Sequence, residues 1–204
     1  TIQTISKAVK LASRLVQDAS VCEREDVSLS SIILGTECGG SDTTSGLAAN
    51  PVLGVTCDKI IDGGGTAVLS ETTELIGAEH ILAQRSVSPD IGKKIIDIVS
   101  EYERHLLNAG QDLRRGQPGP GNKEGGITTI EEKSLGAIHK AGSRPVVGVV
   151  GYADEILKKG LVVMDTPAYD LASVTGMVAG GCQIIVFTTG RGTPMGNPIV
   201  PVVK

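Results

Sequence analysis

Aromatic side chains are scarce in this sequence of 204 residues, which has no tryptophan, one phenylalanine and three tyrosines. Proteins that read RNA or hold single-stranded nucleic acid stack bases on several exposed rings. Carbohydrate-binding platforms depend on rings in a similar way. The composition therefore argues against both classes, and the core must be built from valine, isoleucine, leucine and alanine.

An excess of positive charge is also lacking. The chain has 19 basic and 23 acidic residues, which gives a net charge of −4. No basic block supplies the phosphate contacts on which nucleic-acid binding depends. We therefore expect no nucleic acid among the partners.

Cysteine pairs and long membrane-like runs are missing as well. The four cysteines include no C-x-x-C pair, and with no secretory leader in view we expect a reducing cytoplasm. The uncharged run from Leu171 to Gly190 imitates a membrane span. Because the pair Gly180-Gly181 interrupts it, the run predicts a helix followed by a buried strand, and we expect no membrane association.

Short apolar runs, by contrast, recur along the chain between glycine turns and amphipathic segments. They occupy residues 31–35, 66–70, 145–150, 161–164, 184–187 and 198–203. Continuous rather than alternating apolar strands are typical of a parallel sheet that is buried on both faces. The sequence predicts an α/β fold with a doubly wound, mostly parallel, Rossmann-like sheet of about five to seven strands.

Helices are predicted between these strands. Apolar residues at helical spacing predict an N-terminal helix, and a long helix follows Pro89 and ends at Gly110. Residues 116–126 contain five glycines and two prolines, which predicts an irregular and functional loop. Thr128 or Thr129 then caps another helix. We interpret residues 1–204 as a single C-terminal domain of a longer protein, with residues 1–28 as a helix and linker leading into it.

Ligands of such sheets bind at the carboxyl ends of the strands. The residues that follow the predicted strands are acidic, hydroxylated or glycine-rich, and one is an arginine. They include Cys38, Ser41, Asp42, Glu71, His80, Asp165, Thr189 and Arg191. Acidic and hydroxyl oxygens together with one guanidinium suit a divalent cation and a small polyanionic substrate.

Four segments also carry a family resemblance. They are GTECGGSDTTSGLAANPVLG, LSETTELIGAEHILAQR, PGPGNKEGGITTIEEKSLGAIHKAG and MDTPAYDLASVTGMVAGGCQIIVFTTGRGTPMG. In this order they resemble the motifs of the altronate/galactarate dehydratase family, which also contains sulfolactate sulfo-lyase. The resemblance extends from Leu34 to Gly196.

This resemblance implies a Rossmann-like C-terminal catalytic domain of a metal-dependent hydro-lyase. The implied reaction removes a proton next to the carboxylate of a sugar acid such as altronate or galactarate, expels hydroxide and gives a 2-keto-3-deoxy acid. The implied cofactor is a divalent metal, usually Fe²⁺, with Mn²⁺, Mg²⁺ and Ca²⁺ as alternatives. The implied partners are the missing N-terminal part or a small subunit of the same enzyme, and we expect a homo-oligomer.

We assign roles to the candidate residues with this chemistry in mind. The expected metal ligands are Cys38, Glu71, His80 and Asp165. The expected catalytic residues are Lys123, as base or carboxylate clamp, Glu79, which would orient His80, and Arg191, which would bind a carboxylate in bidentate fashion. The expected substrate-binding residues are Ser41, Asp42, Asn122 and Thr189.

Simpler interpretations compete with several of these roles. Glu71 and Glu74 could simply be negative charges that stabilise a helix N-terminus. His80 could be a hydrogen-bonded histidine of the core, and Cys38 could be a small residue that fills space in a glycine loop.

A nicotinamide cofactor is disfavoured because the glycines do not form G-x-G-x-x-G, and the cysteine spacing does not indicate an iron–sulfur cluster. The alternative functions are sulfite elimination from sulfolactate and a non-catalytic domain that binds a sugar acid.

Overall fold

A computed structural model describes residues 1–204 and contains a single sheet of six strands, all parallel. The strands are β1 Ile33–Cys38, β2 Thr66–Leu69, β3 Val146–Val150, β4 Gly160–Met164, β5 Ile184–Thr188 and β6 Val202–Val203. Their order across the sheet is β3-β4-β2-β1-β5-β6. The predicted α/β, doubly wound, parallel fold is confirmed.

Both faces of the sheet are buried, which explains why the strand sequences do not alternate between apolar and polar residues. Every residue of β2 and of β4 is buried. Leu69 and Val163 belong to the larger core cluster on one face, whereas Val68 and Val162 belong to the smaller cluster on the other. Successive side chains of a strand point to opposite faces, so both faces require apolar residues.

Eight α-helices surround the sheet. They are α1 Ile2–Ser20, α2 Asn50–Asp62, α3 Glu79–Gln84, α4 Pro89–Asn108, α5 Leu113–Gly116, α6 Pro120–Glu124, α7 Ile130–Ile138 and α8 Asp170–Ala179. The Thr129 hydroxyl accepts a hydrogen bond from the amide of Glu132 at 3.1 Å and caps α7, as predicted. The long helix α4 also ends just before Gly110, as predicted.

One prediction about the chain between α4 and α7 is wrong. Residues 116–126 are not wholly irregular, because Pro120–Glu124 forms the short helix α6. A proline in the first helical turn stabilises a helix start, since its missing N–H would have no intrahelical partner. The side-chain oxygen of Asn122 accepts a hydrogen bond from the amide of Gly119 at 3.0 Å and closes this start.

The run from Leu171 to Gly190 forms most of α8 and then β5, as predicted. None of the helices combines the length and the apolar character that crossing a membrane requires. Helix α1 is present as predicted, but it buries no residue, and residues 1–28 are exposed throughout.

The switch in chain direction across the sheet determines where a ligand can bind. Strand β1 lies between β2 and β5, and the chain continues from β1 to one side and reaches the other side only with β5. Crevices at such switch points, outside the carboxyl ends of the strands, are the usual ligand sites of open α/β sheets. The last residue of β1, Cys38, lies at this point.

Candidate active site

A polar cleft opens at the carboxyl end of β1. It is bordered by the loops that follow β1, β4 and β5 and by α6 and α7. Its polar lining side chains are Cys38, Ser41, Glu74, Gln117, Asn122, Lys133, Asp170 and Arg191. Cys38, Ser41, Asn122 and Arg191 are residues that the sequence analysis selected, so the fold brings these four to one cleft.

Two backbone amides of the glycine turn after β1 have no hydrogen-bond acceptor within the chain. Gly40 and Ser41 line the polar cleft, and neither of their N–H groups donates a hydrogen bond to the protein. Gly40 adopts a φ of +58°, a left-handed conformation that glycine accepts without steric cost. The side chain of Asn122 donates to the carbonyl of Ser41 at 2.8 Å and attaches α6 to this turn. The turn therefore offers two N–H donors suited to an anion.

Arg191 supplies a positive charge to the same cleft. Its guanidinium lies directly over Gly121, where an added Cβ atom would be 2.3 Å from a terminal nitrogen. No carboxylate of the chain lies within ion-pair distance of Arg191. A guanidinium without an internal partner is available to hold a carboxylate through two parallel hydrogen bonds.

Asp42 and Thr189 are not among the residues that line the polar cleft, but they make local hydrogen bonds in the loops after β1 and β5. The carboxylate of Asp42 accepts from the Thr44 hydroxyl at 2.7 Å and from the Ser45 amide at 2.8 Å. The hydrogen bond from Thr44, together with that from the Ser45 amide, lowers the pKa of Asp42. The Thr189 hydroxyl accepts from the Gly192 amide at 2.9 Å. Both side chains thus stabilise the loops that carry the cleft residues.

A buried charged cluster forms the floor of the polar cleft. Lys140 forms an ion pair with Glu71, and the two side chains are 0% and 1% exposed. The Lys140 ammonium also lies 2.9 Å from the sulfur of Cys38, whose amide donates to Glu71 at 2.9 Å. Burial and the nearby Glu71 carboxylate raise the pKa of the Cys38 thiol, so the sulfur is neutral.

Glu37 places a second carboxyl group beside Glu71. It accepts hydrogen bonds from Ser173 at 2.6 Å and Ser70 at 3.1 Å, while its other oxygen is buried without a partner. Burial, and then the charge of Glu71, raise the pKa of Glu37 well above its usual value. Burial lowers the pKa of Lys140, but the neighbouring Cys38, Glu71 and Glu37 raise it by more, so the net shift is upward. Burial likewise raises the pKa of Glu71, against the opposing charge of Lys140.

Glu71 itself is held in a strained backbone conformation. Its φ is +67°, which is uncommon for a residue other than glycine and costs about 1–3 kcal/mol. The Glu71 amide donates to the Thr166 hydroxyl at 2.7 Å, which fixes this geometry. Such strain is concentrated at functional sites, and the carboxylate of Glu71 lies beneath the polar cleft.

A second ion pair lies in the wall of the polar cleft. Lys133 on α7 contacts Glu74 at 2.8 Å, with exposed fractions of 11% and 10% for the two side chains. The Lys133 ammonium also donates to the side-chain oxygen of Gln117 at 3.0 Å. From the sequence, Glu74 is either a helix N-terminal charge or one of the acidic residues at the ligand-binding edge, and the structure gives it a cationic partner in the cleft wall.

The four expected metal ligands are not assembled. Cys38 and Glu71 are in contact, but Asp165 accepts a hydrogen bond from Thr72 at 2.6 Å and His80 is exposed on α3. The chain has no group of three or more histidine, cysteine, aspartate or glutamate side chains that could hold a metal ion. The Lys140 ammonium occupies the position between Cys38 and Glu71 that a cation would need. These residues do not fit a metal site of this chain alone.

Two expected catalytic residues also lie away from the polar cleft. Lys123 is exposed on α6 and is not among the residues that line the cleft. Glu79 accepts a hydrogen bond from the amide of Gly77 at 2.6 Å at the start of α3 and does not orient His80. Because α3 buries only Leu82 among its own residues, its His80 face remains outside the core.

Lys133, Lys140 and Glu37 are among the residues of the site that were given no role from the sequence. Lys133 and Lys140 lie inside the third of the segments that carry the family resemblance, and Glu37 lies inside the first. Lys140 lies two residues after Ile138, in the 3-10 turn His139–Ala141 that follows α7, and a buried lysine requires a charged partner. That partner, Glu71, is remote in sequence, so the pattern alone gives no signal for the pair.

Comparison with known proteins gives a family match. The family model described as D-galactarate/Altronate dehydratase, C-terminal, matches residues 29–204. Altronate dehydratase of Bacillus subtilis (strain 168) is 43% identical over 196 residues, which are 96% of this chain and 39% of that protein. Galactarate dehydratase (L-threo-forming) of Escherichia coli (strain K12) is 39% identical over 98% of this chain and 38% of its own length.

A further relative carries a different name. The (2R)-sulfolactate sulfo-lyase subunit beta of Chromohalobacter salexigens is 42% identical over 98% of this chain and 52% of its own length. The chain thus spans about two fifths of the length of the first two relatives, 39% and 38%, and about half of this subunit.

Proposed function

The chain belongs to the D-galactarate/altronate dehydratase C-terminal family, and on this premise we propose that it is part of a hydro-lyase that dehydrates a sugar acid. The substrate class is a polyhydroxy acid of the altronate or galactarate type. The polar cleft at the carboxyl end of β1 is the part of the active site that this chain contributes.

The observation that carries the proposal is the pairing of free anion-binding groups in this cleft. Arg191 has no ion-pair partner in the chain, and the amides of Gly40 and Ser41 have no acceptor. A substrate carboxylate satisfies both, since guanidinium and backbone N–H groups form charge-assisted hydrogen bonds with carboxylate oxygens. Polyhydroxy acids carry the carboxylate that these groups require.

The same groups serve the chemical step. Removal of the proton at C2, next to the carboxylate, converts the acid to an enediolate with additional negative charge on the carboxylate oxygens. Departure of the C3 hydroxyl with a proton then releases water, and the enol product tautomerises to a 2-keto-3-deoxy acid. Fixed donors and cations at the carboxylate favour the charge that develops in the transition state. Arg191 and the amides of Gly40 and Ser41 are placed for this role.

The buried cluster maintains the shape of the cleft floor. Glu71 accepts from the Cys38 amide, and Lys140 contacts both residues. These contacts fix the end of β1 and therefore the start of the glycine turn that carries the free amides. Preorganised donors need no rearrangement when charge develops, which is the source of their catalytic benefit.

The residues of this chain do not by themselves fit the metal that the resemblance implies. Since the chain spans 39% of the altronate dehydratase and 38% of the galactarate dehydratase that it matches, we propose that the rest of the protein or a partner subunit completes the cleft.

The test is a dehydration assay of the full-length protein that contains this chain. Altronate and galactarate are supplied without oxygen, with and without ferrous ion, and formation of the 2-keto-3-deoxy acid is measured. Turnover of either acid supports the proposal. Tight binding without turnover under any metal condition supports a non-catalytic sugar-acid-binding domain instead.

Sulfite elimination from sulfolactate is the second candidate. The 42% identity to a sulfolactate sulfo-lyase subunit favours it. Both reactions begin with removal of a proton next to a carboxylate, so the same anion-binding groups serve both. Release of sulfite from sulfolactate, without turnover of altronate or galactarate, would decide for this candidate.

A further inference from the structure

Glu74 presents an unused hydrogen-bond acceptor in the wall of the polar cleft. One carboxylate oxygen, Oε1, lies 2.8 Å from the ammonium of Lys133, and the side chain is 10% exposed. The other oxygen, Oε2, is buried and has no hydrogen-bond partner. A buried carboxylate oxygen without a donor costs free energy, so the cleft favours a ligand that brings a donor to it.

The position of this oxygen is fixed by its surroundings. All four residues of the 3-10 turn Thr72–Leu75 are buried, which restricts the movement of Glu74. Lys133 is in turn held by Gln117 at 3.0 Å. Because Lys133 binds one oxygen and neutralises the carboxylate, the second oxygen is left as an oriented acceptor.

The acceptor shares the cleft with the anion-binding groups. Arg191 and the amides of Gly40 and Ser41 line the same cleft as Glu74. One part of the cleft thus attracts a carboxylate, while the Glu74 oxygen requires a hydrogen-bond donor. A molecule with a carboxylate and a hydroxyl group satisfies both, whereas an unsubstituted carboxylic acid leaves the Glu74 oxygen unpaired.

We propose that Glu74 is a specificity-determining residue, whose free oxygen accepts a hydrogen bond from a hydroxyl group of the bound polyhydroxy acid. The inference rests on the proposed function and deepens it. It states how the cleft distinguishes a polyhydroxy acid from a simple carboxylic acid of the same length. Lys133 is the positioning residue that orients the Glu74 carboxylate through their ion pair.

The experiment compares matched ligands on the full-length protein. Galactarate and adipate are dicarboxylates of equal chain length, and altronate and hexanoate are monocarboxylates of equal chain length. In each pair only the sugar acid carries hydroxyl groups. Affinities are measured by calorimetric titration with a chelator present, and turnover of the two sugar acids is measured separately. The proteins are the wild type, Glu74→Gln, Glu74→Asp and the control Glu101→Gln on the exposed face of α4.

We expect the wild type to bind the sugar acid of at least one pair roughly tenfold or more tightly than its partner, the range for a hydrogen bond to a charged group. In Glu74→Gln the amide oxygen stays on Lys133 and the amide NH₂ faces the cleft. Sugar-acid affinity then falls by about tenfold while that of the simple acid is unchanged. Glu74→Asp retains a larger part of the preference, and Glu101→Gln changes neither affinity.

The outcomes separate this inference from the proposed function. Equal affinities within both pairs for a wild type that dehydrates one of the sugar acids overturn the inference and leave the proposed function intact. The same holds if a folded Glu74→Gln variant keeps the full hydroxyl preference. If the wild type neither binds nor dehydrates altronate or galactarate, both are overturned. If Glu74→Gln does not fold, Glu74→Asp carries the test, and a folded Glu74→Asp variant with the full wild-type preference overturns the inference.

Discussion

The ammonium of Lys140 and the carboxylate of Glu71 form an ion pair that solvent does not reach. It joins the 3-10 turn His139–Ala141, just after α7, to the strained residue that follows β2. Neither charge has access to water, so each depends on the other. Cys38, at the end of β1, contacts both, and the pair therefore links three segments below the polar cleft.

Replacing one member of this pair should destabilise the protein strongly. In Lys140→Met the carboxylate of Glu71 is left buried and unpaired, and we expect the free energy of unfolding to fall by about 3–5 kcal/mol. Urea unfolding followed by circular dichroism measures the change. Lys93→Met is the matched control, because its partner Asp97 is 54% exposed, and it should cost less than about 1 kcal/mol. Equal losses in the two variants would refute the buried pair.

Glu37 should make the stability depend on pH. Burial raises the pKa of Glu37 above the ordinary value of 4.5, so the folded state keeps a proton that the unfolded state has lost. The unfolded state then binds fewer protons, and stability falls as the pH rises from about 4.5 through the folded-state pKa.

The Glu37→Gln variant isolates this effect because its amide stays neutral at every pH. Relative to the variant, the wild type should lose free energy of unfolding between pH 5 and pH 8, about 1.4 kcal/mol for each unit of pKa difference covered in that interval. Denaturant unfolding at several pH values measures it. Parallel pH profiles of wild type and variant would show that Glu37 is not held neutral by burial.

The contact of Arg191 with Gly121 can be tested by adding a single methyl group. In Gly121→Ala the new Cβ atom would lie 2.3 Å from the guanidinium, so the flexible end of Arg191 must move away. We expect a higher KM for the sugar acid and little change in melting temperature. Gly116→Ala is the control, because nothing lies within 4 Å of its Cβ position. Identical KM values for the two variants would contradict the assigned position of Arg191.

Removal of residues 1–28 should leave the folded domain intact. Helix α1 buries no residue, and all residues of this segment are exposed. We expect the melting temperature of the chain 29–204 to lie within about 2–4 °C of that of the chain 1–204, which corresponds to about 1 kcal/mol for a domain of this size. A larger decrease, measured by calorimetry, would show that α1 packs on the domain.

The sheet could be predicted from sequence because its signals are local. Each buried strand is a continuous apolar run, and glycine turns separate the runs from helices. The cap of α7, Thr129, and the proline that begins α4, Pro89, are likewise local signals. The helix α6 was missed because its glycines and prolines usually interrupt regular structure, while a proline at the first helical turn is favourable.

The site could be predicted only in part. The rule that ligands bind at the carboxyl ends of strands led to Cys38, Ser41 and Arg191, and the glycine- and proline-rich segment 116–126 led to Asn122. All four line the cleft. The Lys140–Glu71 pair joins residues that are 69 positions apart in the chain, so no spacing rule indicates it. His80 shows the opposite problem, since a helix of six residues is too short for its apolar spacing to define which face is buried.

The most direct test of the account is the KM of the full-length protein for altronate and galactarate when Arg191 is replaced by methionine. Because the guanidinium has no partner in the chain and is assigned to the substrate carboxylate, the variant Arg191→Met should raise KM by roughly tenfold or more. The variant Arg104→Met, in an exposed pair on α4, should leave it unchanged. A KM for Arg191→Met equal to that of the wild type would contradict the assignment of this cleft as the substrate site.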